Sequence, residues 1–241
     1  MKNSGISSIK PEILRWARKT AGLSIVEVST RLKRTEQEIA SWEEGLSAPT
    51  YSQLEKLAYL VYKRPLAIFF LPAPPEESIP RKEFRTLPDF DFGQLAPDTY
   101  FHIRHAHAYQ LVLKKLYGNN NNAKKHIWSD FQIDLSVNTQ KQAVLIRQYL
   151  EIPLEKQIAW RDEDAALKHW RQVIEDAGVF VFKASFKQKD ISGICLKDEQ
   201  FPIIYLNNST TKTRQIFSLL HELSHILLNV NGLSLYAAYY Y

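Results

Sequence analysis

The chain has 241 residues, 45% of them apolar and 24% charged, so it can bury a substantial core and is excluded from the disordered class. No stretch reaches the roughly 18 uninterrupted apolar residues of a membrane helix, and a single cysteine, Cys195, excludes an internal disulfide framework. The net charge of +5 is compatible with an ordinary solvated surface, but residues 1–72 carry 11 Lys or Arg against 7 Asp or Glu, which favours an anionic partner there.

Residues 1–10 lack the apolar core of a secretory signal and the lone thiol fits a reducing compartment, so a cytoplasmic protein is expected, with no membrane partner. Ile9, Ile13, Leu14, Trp16 and Ala17 recur at helical spacing before Gly22, and Ser24 can cap a second helix carrying Ile25, Val28 and Leu32. After a short polar turn Thr35 can cap a third helix, with Ile39, Ala40 and Trp42, that stops at Gly45. A fourth begins near Thr50 with Leu54, Leu57, Ala58 and Leu60, and Pro65 opens a fifth. Five short helices with a tight turn between the second and third make a helix-turn-helix arrangement.

Leu23-Ser24, Ser41-Trp42-Glu43-Glu44-Gly45 and Pro49-Thr50 resemble the XRE, lambda-repressor-like, DNA-binding domain over about residues 8–71. The resemblance implies a DNA partner, with Thr35, Glu36, Gln37 and Ser41 on or near the recognition helix. Gln37 would face an adenine edge, and Lys33 and Arg34 would contact phosphates. Glu36, Glu38, Glu43 and Glu44 make that helix acidic, which opposes phosphate. The alternative is a helical module for protein contacts or homodimerisation.

Pro72, Pro74, Pro75 and Pro80 lie close together, so an extended spacer and a domain boundary are expected there. Phe84-Arg85-Thr86-Leu87-Pro88 and residues 89–97 carry enough aromatic residues to lie against a surface. Ile103, Ala106, Leu111, Val112 and Leu116 support one long helix over 98–117, ended by Gly118. It carries His102, His105 and His107. The first two share a face and His107 turns away, so a solvated basic face beside Arg104 is expected rather than a metal site. Residues 138–150 and 162–177 read as two further helices, the latter stopped by Gly178.

Val179-Phe180-Val181-Phe182 is a run of strand formers, and residues 191–196 and 203–206 read as a hairpin. Cys195, between Ile194 and Leu196, reads as strand core rather than nucleophile. An exposed edge of this sheet could hold an extended peptide by main-chain hydrogen bonds, or could simply cover the next helix.

That next helix carries His221-Glu222-Leu223-Ser224-His225, an HExxH motif among Ile216, Phe217, Leu219, Leu220, Leu223, Ile226, Leu227 and Val230. Imidazoles four residues apart sit about 40° apart around a helix and one turn apart along it, so both can point at one cation. Zinc suits neutral imidazole nitrogens, and Glu222 beside the first histidine is placed to take a proton from water in hydrolysis of a peptide or similar acyl bond. The competing reading is a pair of satisfied core histidines. Ser209, Thr210 or Thr211 can cap the helix and Asn231-Gly232 can stop it, giving about 18 residues. A catalytic zinc takes three protein ligands, yet residues 226–241 contain no Asp, Glu, His or Cys. The third ligand therefore lies earlier, or the natural protein continues beyond the tyrosine-rich end, or the enzyme is degenerate.

The order of the helical unit, residues 63–72 and 84–88, Ser192-Gly193-Ile194 and Leu220-His221-Glu222-Leu223-Ser224-His225 resembles ImmA/IrrE-type proteins fused to an XRE domain. The resemblance implies a gluzincin-type zinc peptidase that cleaves a repressor, with His221 and His225 as metal ligands and Glu222 as general base. It also implies a third, acidic ligand in a helix beyond the HExxH helix, near an Asn-x-Phe-Ala segment. The fold class expected is α+β and mostly helical. A five-helix lambda-repressor-like domain (1–72) and a Pro-rich linker (73–97) precede a metallopeptidase-like domain (98–241), helical over 98–177 and zincin-like, with a small sheet and the HExxH helix, over 178–241. The alternative function is a non-catalytic DNA-binding regulator or antitoxin-like binding protein with an incomplete metal site.

Overall fold

The computed structural model describes residues 5–6, 8–77, 84 and 95–235. The remaining positions, which include most of the proline-rich and aromatic stretch between 78 and 94 and the tyrosine-rich end at 236–241, lie outside the described residues, and so do the expectations attached to them. The chain divides into two compact units, 1–82 with 91–101 and 83–90 with 102–241.

In the first unit the helices are α1 (Pro11–Thr20), α2 (Ile25–Leu32), α3 (Glu36–Glu44) and α4 (Tyr51–Lys56). Their starts follow local chemistry. The Ser24 hydroxyl accepts from the Glu27 N–H while the Glu27 carboxylate accepts from the Ser24 N–H, and Thr50 and Gln53 close a second box of the same kind. Thr35 accepts from the Glu38 N–H at 3.2 Å, and α3 ends where Gly45 takes φ +79°, a left-handed value that glycine adopts without steric cost. Beyond α4 the chain continues as a π-helical segment, Leu57–Tyr62, and Pro65 opens a 3-10 helix, Leu66–Phe70, where a fifth regular helix was expected. Ile13, Leu14, Ala17, Val28, Ile39, Trp42, Leu54 and Phe69 form the core. Trp16 stays at its rim, with the Arg64 guanidinium 4.0 Å above the ring.

The second unit contains most of α5 (Pro97–Leu116), then α6 (Ile127–Asp130), α7 (Thr139–Tyr149), α8 (Leu154–Ile158), α9 (Glu163–Asp176) and α10 (Lys212–Leu227). The short α6 and α8 were not legible in the sequence, being little more than one turn each. The strands β1 (Phe180–Ala184), β2 (Ile191–Leu196), β3 (Ile203–Asn207) and β4 (Gly232–Leu235) form one mixed sheet in the order β1-β3-β2-β4. β1 runs parallel to β3, and β2 is antiparallel to both β3 and β4. The molecule is thus α+β and mostly helical.

β2 and β3 are buried at every position, so helices cover both faces. Val181, Cys195, Ile204 and Leu206 pack on one side with Trp170, Ile174, Leu219, Leu223 and Ile226 of α9 and α10. On the other, the Gln110 amide of α5 donates to the carbonyls of Leu196 and Phe201, and Tyr109 stacks on Phe182 at 4.2 Å. His102 stacks on Phe186 at 4.1 Å, lies 3.2 Å from the Tyr205 hydroxyl and is only 4% exposed. The solvated histidine face expected on this helix is therefore corrected at His102, which is a core residue because α5 lies on the sheet. No described helix is long and apolar enough to cross a membrane.

Candidate metal centre

Helix α10 begins at Thr211, whose hydroxyl accepts from the Arg214 N–H, and it presents Gln215, Ser218, Leu219, Glu222, Leu223, Ile226 and Leu227 to the interior. It runs 16 residues and ends before Asn229, which takes φ +58°. The stop expected at Asn231-Gly232 is corrected: Gly232 opens β4, a strand that four residues without alternation did not announce.

His221 and His225 lie at the edge of the buried face, with Nε2 atoms 3.0 Å apart and rings nearly perpendicular at 83°. Two nitrogens bound to one tetrahedral zinc at about 2.05 Å would be separated by about 3.3 Å, so the pair already has close to the bite of a single cation. Burial, with the neighbouring His225 and Arg214 adding to it, pushes His221 down to about 4, and burial lowers His225 as well. Both rings are therefore neutral near pH 7, the state whose lone pairs can bind a metal. Phe217, one turn earlier, stacks along His221 with centroids 6.1 Å apart.

Glu222 reaches the sheet, its Oε2 meeting the same Gly232 position as the His225 ring. It is 0% exposed, and its oxygens meet no hydrogen-bond partner of full geometry among the described residues. Burial raises its pKa to about 7, and the nearby Ser234 hydroxyl and Cys195 thiol pull in the opposite direction. The carboxyl fits only because both strands beneath it carry glycine. A Cβ on Gly193 would stand 3.0 Å from Glu222 Oε1, and one on Gly232 would stand 2.8 Å from Glu222 Oε2 and 2.5 Å from His225 Cδ2. These two glycines are the site residues that sequence reasoning missed, although a glycine inside a strand is a known mark of close approach. Cys195 is fully buried, and desolvation followed by the Glu222 charge raises its pKa well above the usual thiol value, which suits strand core and not a nucleophile.

No group of three metal-ligating side chains occurs among the described residues. The two imidazoles fit a zinc ion as a pair, without a third protein ligand from that set.

On the first unit, Lys33 (φ +54°), Arg34 and Gln37 are exposed around the start of α3. The Thr35 hydroxyl is occupied by its cap, and the Ser41 hydroxyl donates to the Glu38 carbonyl and pairs with Ser47. The acidic character assigned to this helix needs correction at Glu43, which is buried and held by Arg18 at 2.6 and 2.8 Å. Glu38 accepts from Gln53 and lies 3.9 Å from Arg34, leaving Glu36 and Glu44 as the exposed charges.

Residues 174–240 match the model of the IrrE N-terminal-like domain, Peptidase_M78, a stretch that takes in the whole described sheet and α10. No curated protein and no solved structure matches the chain.

Proposed function

We propose that the chain is a cytoplasmic regulator whose second unit is a zinc-dependent endopeptidase-like domain acting on a repressor or another partner protein. The first unit brings it to DNA or to that partner. One observation carries the reading: two neutral imidazole nitrogens at the bite of a single cation, beside a buried carboxyl whose pKa stands near 7. The match of residues 174–240 to a peptidase family model supports it.

In this reading His221 and His225 hold the ion through Nε2, and Phe217 keeps the first ring in place. Zinc, when bound, supplies a Lewis acid that polarises the scissile carbonyl and makes water a better nucleophile at neutral pH. Glu222, near its own pKa at neutral pH, accepts the proton of the attacking water and returns it to the leaving amine. On the first unit, Lys33 and Arg34 contact phosphates and Gln37 reads a base edge, aided by the withdrawal of Glu43 into the core. Zinc content and cleavage of candidate repressors by wild type and Glu222→Gln test the proposal, and equal activity in both would remove Glu222 from the chemistry.

A second reading, a binding-only regulator, draws on two observations: no third ligand occurs among the described residues, and Glu222 has no contact with solvent. Thermal stability and DNA affinity unchanged by a chelator would favour it.

A further inference from the structure

Strand β4 lies on the groups the proposed chemistry needs. It is an outer strand of the described sheet, paired with β2 through Cys195↔Gly232, Ile194↔Leu233 and Gly193↔Ser234, after which the register shifts before Ile191↔Leu235. Gly232 therefore runs against Glu222 Oε2 and His225 Cδ2 too closely for any side chain, and Ser234 faces the carboxyl from the same strand. With β4 in place Glu222 has no exposed surface at all, and a general base cannot take a proton from water it does not meet.

The strand is also short. It has four residues and an irregular ladder; Gly232, Leu233 and Ser234 are buried, the Ser192 hydroxyl donates to the Ser234 carbonyl at 3.3 Å, and Lys197 holds the turn before it through its N–H to Asn231 and its Nζ to Asn229. Among the described residues it pairs with β2 alone, and a short strand paired on one side opens more readily than the centre of a sheet. Its closest approach falls at the proposed centre.

We infer that β4 is a displaceable strap which closes the site from within: seated on β2 it seals Glu222 and crowds His225, and lifting it opens both to water and frees the β2 edge. The inference rests on the reading of Glu222 as a working carboxyl and adds how that carboxyl is regulated. The strap competes with any extended peptide for the same main-chain groups of β2.

The test is chemical access to Glu222 in the full chain. Wild type, Leu233→Asn and Gly232→Ala are treated with a water-soluble carbodiimide and glycine ethyl ester, and Glu222 modification is followed by peptide mass mapping. Losing the burial of Leu233, or forcing a methyl against His225, favours the lifted strand, so labelling should be about tenfold faster or more in both variants. Hydrogen exchange of β3 amides, protected in all three, shows that the sheet persists. Should either variant lose that protection, Leu233→Val, with an intermediate rate expected, takes its place. Equal rates across the proteins overturn the strap, as does wild-type labelling as fast as that of the exposed Glu163. Zinc content is measured in parallel. Faster labelling in the variants with no zinc bound by any protein removes the metal reading and leaves the strap standing, whereas zinc bound by all with equal labelling does the reverse.

Discussion

Among the described residues two glutamates are buried, one in each unit, and they are treated in opposite ways. Glu43 in the first unit is 4% exposed and held by the Arg18 guanidinium through two bonds of 2.6 and 2.8 Å. Its own carbonyl accepts from Arg15 at 2.7 Å. Glu222 in the second unit is 0% exposed, has no cation beside it among the described residues, and sits on two glycines with its pKa raised to about 7. A buried carboxylate paired by geometry serves the fold, since its charge is neutralised where it lies. A buried carboxyl with no cation beside it costs stability, and that is tolerated where the group has chemistry to perform.

The sharpest way to break the contrast is to make both glutamates neutral and read different quantities. Under the proposed function, Glu222→Gln keeps the volume and lowers kcat/KM on a cleaved partner protein by about 10²–10⁴-fold, as loss of a general base does, while the protein stays folded by circular dichroism. Glu43→Ala leaves the part-buried Arg18 guanidinium without its carboxylate and should cost about 1–3 kcal/mol in a denaturant titration, with no direct effect on the proposed metal site. Gly193→Ala brings a methyl to 3.0 Å from the Glu222 carboxyl and is expected to destabilise by about 1–3 kcal/mol. An unchanged unfolding midpoint there would mean that the carboxyl is not wedged between the strands.

The pH dependence separates the two glutamates further. Glu222 has a folded pKa raised from 4.5 to about 7, so the native state keeps a proton the unfolded chain has lost. Its contribution to stability is full below about pH 4.5 and is lost as pH rises through about 7. His221 and His225 are lowered, so theirs is present above about pH 6.5 and lost as pH falls, for His221 through about 4. In zinc-free protein Glu222→Gln should therefore gain stability relative to wild type as pH rises from about 5 to about 8, measured by melts across that range. The smallest effect expected is Thr35→Ala, which removes the cap of α3 and should cost about 1 kcal/mol.

What the sequence by itself determined is what neighbours along the chain determine. Ser24 and Thr35 cap their helices as read, Thr211 does so from among three candidates, and Thr50 and Asp162 cap helices read as starting there, because the hydroxyl or carboxylate and the amide it accepts from lie three residues apart. His221 and His225 meet for the same reason, since a spacing of four along a helix places their nitrogens together whatever surrounds it. Only the tertiary structure decided that His102 is core, that Glu43 faces Arg18 across 25 positions of chain, and that Glu222 is sealed between Gly193 and Gly232. Those outcomes depend on which distant segments the sheet and the helices bring to one place, and a carboxyl's environment, unlike a helix cap, is set by groups that chain proximity does not reveal.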